Sequence, residues 1–348
     1  MRNGPSVLPD TDVLVVGGGP VGLGAAAYAR LAGLDVVVAE PRRDPVDKAC
    51  GEGLMPPAVS ALALLGVRPP GRSYLGIRYV DGARSVDGFF RGGPGLGVRR
   101  TALHEALAAR VADLGVQRVD TRIGDVRPDA TGVTAGEIRA RWVLAADGLH
   151  SSLRRGFGLD LPVAGPPRYG LRRHFAVAPW SDLVEVHWSG RAEAYVTPVA
   201  DDLVGVAFLF RGTARYGDLL AEFPELSARL AGRDPVTPVM GAGPLRQRAR
   251  TPRFGRVLLV GDAGGYLDAL TGEGVAVGLA TARAAVAAIA SGRPEAYDDG
   301  WRRATRRYRT MTGALLWASS RPSLRRRLVP LAGRLPRVYT YAVNAVCA

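Results

Sequence analysis

Asp12-Val13-Leu14-Val15-Val16-Gly17-Gly18-Gly19-Pro20-Val21-Gly22 is the stretch on which the fold turns. A buried-strand run leads straight into a turn with glycines at 17, 19 and 22. Helix-prone residues from Ala25 to Ala32 follow, then a second apolar strand, Leu34 to Ala39, that ends at Glu40. Strand, turn, helix and strand in that order make a β-α-β unit. Gly17 permits the tight turn, Gly19 lets the backbone approach a pyrophosphate at a helix N-terminus, and Gly22 lets helix and strand pack closely. Pro20 stands in the same turn and is counted with these glycines among the cofactor-binding candidates. Glu40, eighteen residues beyond the last glycine, can accept from ribose hydroxyls. An acid there favours a free 2′-hydroxyl, as in FAD or NAD, over a 2′-phosphate.

Two more buried-strand runs end in glycine turns. Trp142–Ala146 leads into Asp147-Gly148-Leu149-His150-Ser151-Ser152-Leu153-Arg154. Arg256–Val260 leads into Gly261-Asp262-Ala263-Gly264-Gly265 and, through Leu270-Thr271-Gly272-Glu273-Gly274, into a small-residue helix over Val275–Ala290. These strands are far apart in the chain, so the domain they build is discontinuous. Between them, Tyr169–Val177, Val184–Trp188, Ala194–Val199 and Leu203–Phe210 alternate and are rich in aromatic and β-branched residues, which predicts an antiparallel sheet. Helices are predicted over Pro57–Leu65, Thr101–Leu114 and Tyr216–Leu230. The expected fold class is α/β: a Rossmann-like dinucleotide domain (10–72, 99–158 and 246–292), an inserted antiparallel substrate domain (73–98 and 159–245), and a basic amphipathic helical tail (293–348).

Charge is the unusual feature of the composition. The 348 residues carry 46 basic and 32 acidic side chains, a net charge of +14, which invites a nucleic-acid reading. Its distribution argues otherwise. Residues 301–348 hold 11 arginines and no acid, so the preceding 300 residues carry only +3. Lys48 is the single lysine, an arginine skew that fits a GC-rich genome better than a selected binding surface. Aromatic-interleaved base-reading motifs are absent, and no nucleic-acid partner is expected. Two cysteines, Cys50 and Cys347, exclude a disulfide framework and a cysteine-rich zinc site, and no metal is expected. No apolar run approaches the length of a bilayer span, and the polar N-terminus does not resemble a signal peptide. A soluble, cytoplasmic protein is the expectation.

The three glycine motifs, in this order, resemble the para-hydroxybenzoate-hydroxylase-like FAD superfamily. That superfamily holds the group A flavoprotein monooxygenases, the geranylgeranyl reductases and the flavin-dependent halogenases. The resemblance runs from about residue 12 to 290. It implies FAD as cofactor and NAD(P)H as reductant. It assigns cofactor contacts to Asp147 and Gly148, with Ser151 and Arg154 in step, and to Gly261 and Asp262, whose carboxylate would meet the ribityl chain. Arg100, opening the Thr101–Leu114 helix, matches an arginine near the cofactor; the bland alternative is a solvated helix-start residue. Gly272 and Gly274 precede a helix whose positive end would aim at the flavin pyrimidine edge. Cys50, Gly51, Leu270 and Thr271 would lie close to the flavin, with Cys50 either a redox thiol or a small buried residue. Lys48 could reach phosphate, though a solvated lysine is the favoured reading.

Subfamily features divide. Asp47-Lys48-Ala49-Cys50-Gly51-Glu52-Gly53-Leu54 and the Leu270–Gly274 segment look like geranylgeranyl-reductase-type sequences. The long aromatic substrate motif of those reductases is missing: Glu193–Pro198 keeps little beyond Tyr195 and Pro198. The His-Pro-Pro residues of aromatic-acid hydroxylases and the Trp-x-Trp-x-Ile-Pro signature of halogenases are absent too. The expected function is an NAD(P)H-dependent monooxygenase that uses O2, through a flavin C4a-hydroperoxide, to hydroxylate a lipophilic aromatic or polyketide-like small molecule. The alternatives are a flavin-dependent alkene reductase and a non-catalytic module that retains FAD or binds a membrane surface. No residue is assigned a catalytic role. Arg172, His174, His187 and Tyr195 on the inserted sheet are the substrate candidates; the face they share with the flavin depends on strand register.

In the tail, Tyr297, Trp301, Ala304, Tyr308, Met311, Leu315 and Ala318 recur at helical spacing, with Arg302, Arg303, Arg306, Arg307 and Arg309 largely off that stripe. Leu328–Val346 is strongly apolar. One reading is peripheral contact with an anionic membrane surface, or a cover over a greasy substrate channel. The other is a helix packed on the dinucleotide domain with a solvated arginine face.

Overall fold

The structure, a computed structural model, describes residues 11–347. Residue 10 of the expected domain boundary, the polar segment before it and residue 348 lie outside the described residues.

A sheet with a parallel core organises the first layer. Its central order is Arg253–Phe254, Val257–Leu259, Ile138–Ala145, Thr11–Val16, Val36–Ala39 and Gln117–Val119. Val15 pairs in parallel with Leu144 on one side and Val38 on the other. These strands carry apolar residues on both faces because both faces are covered. Helices Pro20–Leu31, Arg100–Asp113 and Gly274–Ala290 pack on one face, around Val13, Val15, Leu107 and Leu279. The antiparallel strands Val126–Pro128 and Val133–Ala135 help close the other, with Leu14, Val143 and Leu259 inside.

A seven-stranded sheet stands beyond it, in the order Met240–Ala242, Arg168–Ala176, Leu203–Arg211, Ala192–Ala200, Val184–Trp188, Gly76–Asp81 and Arg84–Phe89. It is antiparallel except where Val184–Trp188 runs parallel to Gly76–Asp81. Alternate residues take opposite faces. Ala194, Val196, Val206 and Phe208 form the rear core with Leu219, Phe223 and Leu226. The front face, with Val186, Tyr195 and Leu209, turns toward the dinucleotide layer. The single helix expected over Tyr216–Leu230 is two helices, Tyr216–Leu220 and Pro224–Leu230. Pro224 has no amide hydrogen to continue the first and instead opens the second. A small sheet of Gly53–Leu54, Gly95–Gly97 and Arg72–Tyr74 bridges the two layers.

The tail begins with the long helix Ala296–Ser319, whose Tyr297 and Tyr308 are buried. Helices Pro322–Arg325, Leu328–Arg334 and Pro336–Cys347 then fold back over the edge of the second sheet. Tyr339 and Val343 press on Gly88, where an added Cβ would lie 2.9 and 2.8 Å from their atoms. Tyr339 donates to the Ile77 carbonyl at 3.2 Å, and the Asn344 amide donates to Phe89 and accepts from Arg91. Arg325 is buried against the sheet and donates to the Ser189 and Ala192 carbonyls and the Glu193 carboxylate. The tail is therefore packed.

Candidate functional site

The glycine turn forms as its sequence requires. Gly17 sits at φ 106°, and a Cβ there would lie 2.5 Å from the Ala146 carbonyl oxygen. A Cβ on Gly22 would lie 1.8 Å from the Gly17 carbonyl oxygen, so helix and turn meet only through glycine. Gly19 is the N-cap of helix Pro20–Leu31, and the nearest atom to its missing Cβ is an Arg100 Nη2 at 3.6 Å. Backbone amides are thereby presented at a helix N-terminus that faces open space.

That space is a cavity of about 620 Å³. Gly19, Pro20, Arg100, Asp147, Gly148, Asp262, Gly272 and Gly274 line it from the dinucleotide layer. Cys50, Gly51, Leu270 and Thr271 line its middle. Tyr79, Val186, Tyr195 and Leu209 line it from the second sheet, and Leu315, Leu328, Tyr339 and Val343 from the tail. One continuous space thus joins the glycine turn, the inserted sheet and the C-terminal helices.

Polar groups at the dinucleotide end are arranged for a partner. Asp147 Oδ2 accepts from Ser152 and the Leu153 amide, while its buried Oδ1 has no hydrogen-bond partner. Arg100 Nε is likewise buried and unpartnered. Burial pushes the Asp262 carboxyl above its usual range, against the attraction of Lys48, Arg100 and Arg154. Lys48 is half-buried and lines the cavity, its ammonium 3.6 Å from the missing Cβ of Gly148. Glu40 accepts from the Gly18 amide at 2.8 Å and is held in a two-point pair by Arg42. Burial opposes its ionisation, yet Arg42 and the amides of Gly18 and Arg42 keep its pKa below the usual range. A carboxylate has about four acceptor positions, and these four bonds fill them, so a ribose hydroxyl would have to displace the exposed Arg42 side chain from one. The glycine cradle and the orphaned Asp147 and Arg100 atoms fit a bound FAD.

Strand register decides which of the four candidates on the inserted sheet reach the cavity. Tyr195 lines the cavity and donates to the Leu270 carbonyl at 3.0 Å. Arg172 lines it too, with its Nη2 on Asp47 at 2.6 Å. His174 is fully buried behind the cavity wall, with Nε2 2.5 Å from Glu52. Arg172 faces the other ring nitrogen at 3.2 Å, which makes that nitrogen the acceptor and Nε2 the donor to Glu52. His187 does not reach the site. It stands opposite Ala194 on the rear face, 3.0 Å from Glu185 and edge-on to Phe223, because it is one residue out of step with Val186.

Glu52 is the site residue that sequence reasoning missed. It is buried, lines the cavity and is the one non-glycine residue at positive φ among those described, at 59°. Its carboxylate accepts from His174 and the Arg100 amide. A Cβ on Gly205 would come within 3.2 Å of it. The available signal was an acid inside the glycine turn Gly51-Glu52-Gly53. Glu273 was also passed over. Burial raises its pKa to about 7, and its Oε2 is unpartnered.

A parallel nucleotide layer, a glycine cradle and a second sheet across an apolar cavity define a flavoprotein of two-layer type. Comparison with known proteins agrees. Residues 10–72 match the FAD binding domain family. The chain is 30% identical to a protoasukamycin 4-monooxygenase of Streptomyces nodosus subsp. asukaensis, over 83% of each chain. It is 29% identical to a menaquinone reductase of Mycolicibacterium smegmatis, over 83% of this chain and 79% of that one. Its fold superimposes on a flavin-dependent brominase with a TM-score of 0.80 at 16% identity, covering 97% of this chain and 94% of the brominase. The chain belongs to the para-hydroxybenzoate-hydroxylase-like FAD superfamily, with the group A flavin monooxygenases and geranylgeranyl reductases. It is an FAD-dependent oxidoreductase.

Proposed function

We propose that this oxidoreductase is an NAD(P)H-dependent monooxygenase that hydroxylates a lipophilic aromatic or polyketide-like molecule. The observation that carries this reading is the cavity itself. It runs from the glycine cradle to the tail, and beyond the cradle its walls are mostly aliphatic and aromatic. Such walls bind a greasy substrate by removing its surface from water, roughly 25 cal/mol per Å². The 30% identity to a monooxygenase over most of both chains supports the same reading.

Gly19, Arg100, Asp147, Asp262 and the start of helix Gly274–Ala290 would hold the FAD, and Glu40 its ribose. FAD, when bound, would supply the redox chemistry that couples NAD(P)H oxidation to O2. The protein's own contribution is positional. Val186, Leu209 and the tail residues Leu328 and Val343 exclude water and orient the substrate. The balance is one substrate C–H, O2, NAD(P)H and a proton giving C–OH, water and NAD(P)+.

Alkene reduction is the second reading. It is favoured by Cys50 on the cavity wall, a thiol able to give a proton to carbon, and by the 29% identity to a menaquinone reductase. Turnover under 18O2 with phenols bearing long alkyl chains separates the two. Incorporation of one labelled oxygen per NAD(P)H consumed supports hydroxylation. Anaerobic saturation of a polyprenyl side chain, with no oxygen incorporated, would replace it with reduction.

A further inference from the structure

The two last tail helices are apolar on both sides. Inward, Ala332, Tyr339, Ala342, Val343 and Val346 line the cavity. Outward, Leu331, Leu335, Val338 and Tyr341 are 49, 54, 58 and 69% exposed. A helix of a water-soluble protein ordinarily turns polar residues outward. Leu335 caps the helix that holds Leu331, four residues on, and Val338 and Tyr341, three apart, share a face of the next helix. Among the described residues, thirteen large apolar side chains are exposed, and five of them fall between Trp317 and Tyr341. Exposed Phe89 adjoins them, its carbonyl bonded to Asn344.

The charge of the two helices themselves has one sign, and Asp87 on the edge strand beneath them is paired with Arg78. Arg321, Arg326, Arg327, Arg334 and Arg337 are exposed, and residues 301–348 contain no acid. An apolar surface studded with arginines is complementary to an anionic bilayer: the side chains enter the headgroup boundary while the guanidinium groups meet phosphate. No helix of the described residues is long and apolar enough to cross a membrane, so the contact is peripheral.

We propose that the outer face of helices Leu328–Arg334 and Pro336–Cys347 docks on an anionic lipid bilayer. The same helices then stand between the lipid and the cavity segment lined by Tyr339 and Val343. The docking stands on the tail alone and does not depend on which reaction the flavin site performs.

Co-sedimentation of the FAD-loaded full chain with vesicles tests it. The protein should pellet with phosphatidylcholine vesicles containing phosphatidylglycerol and stay in solution with phosphatidylcholine alone. Raising salt from about 0.05 to about 0.5 M should release it, because screening shortens the reach of the arginines. Arg334→Gln with Arg337→Gln should weaken partitioning about thirtyfold, and Leu335→Ser with Val338→Ser should abolish it, with flavin content and Tm unchanged. The salt series needs no substitution and reads the charge contribution even where a variant folds poorly. Absence of pelleting, or equal pelleting on both vesicle types, overturns the proposal. So does a dimer in lipid-free solution that Leu335→Ser with Val338→Ser dissociates, which would assign the face to a second copy of the chain.

Discussion

Arg325 of the tail donates to the Glu193 carboxylate at 2.5 Å, in a place where Glu193 is wholly buried and Arg325 nearly so. The other Glu193 oxygen accepts from Arg168 at 2.8 Å, and Arg168 in turn holds Asp268 of the dinucleotide layer. The Tyr308 hydroxyl accepts from the Asp268 amide and donates to its carbonyl. Tail, inserted sheet and dinucleotide layer are thus joined through one buried chain of charges.

Breaking that chain should free the tail. Arg325→Ala leaves Glu193 with one cation and takes the guanidinium from the Ser189 carbonyl, and loss of a partner from a buried pair costs about 3–5 kcal/mol. Thermal unfolding should shift down accordingly, and limited proteolysis should cut between residues 320 and 348 in native protein. An Arg325→Ala protein as stable and as protease-resistant as the parent would show that the tail is held by its apolar contacts alone.

Glu52 offers a test of strain separate from function. Both Glu52→Ala and Glu52→Gly remove the carboxylate from His174 and Arg100. Only alanine retains the penalty of φ 59°, roughly 1–2 kcal/mol for a residue with a Cβ. Urea unfolding should rank the parent above Glu52→Gly, and Glu52→Gly above Glu52→Ala by about 1 kcal/mol. Equal stability of the two variants would contradict the strained geometry.

Cofactor retention should depend on the cradle. Gly22→Ala places a Cβ 1.8 Å from the Gly17 carbonyl and should yield protein without flavin absorbance. Asp262→Ala leaves the fold intact and should release FAD at least tenfold more readily, read by absorbance after gel filtration. Unchanged occupancy in Asp262→Ala would remove that residue from the cofactor site.

Glu273 should make stability fall as pH rises. Its carboxyl pKa is raised to about 7 in the folded protein, chiefly by burial, against 4.5 for the free side chain. The folded state therefore binds more protons than the unfolded state between these values, and stability declines from pH 4.5 to 7. The loss approaches about 3 kcal/mol. Glu273→Gln should flatten this portion of the profile and be the more stable protein at pH 8. Parallel profiles for the two proteins would count against a buried, neutral Glu273.

What the sequence made legible was local. Gly17, Gly19 and Gly22 act within one turn, so their meaning can be read from spacing. Alternation along Val184–Trp188 predicted a strand but not which face meets the cavity, and His187 lay on the wrong one. Glu52 escaped notice because its partner His174 is 122 residues away, and only the fold joins them. Leu328–Val346 read only as an apolar stretch, and the cavity wall contributed by Tyr339 and Val343 became visible in the fold alone. Packing decided in favour of an inner face, while the outer arginines remained available to solvent.

The central claim is that the apolar space between the glycine cradle and the tail receives the substrate. Titrating the FAD-loaded protein with a long-chain alkylphenol, and following the flavin absorption band, tests it directly. Val186 lies on the front wall, where a larger side chain occupies the cavity. A saturable spectral shift is expected in the parent protein and none in Val186→Trp, with FAD content equal in both. The same shift at the same concentration in both proteins would contradict it.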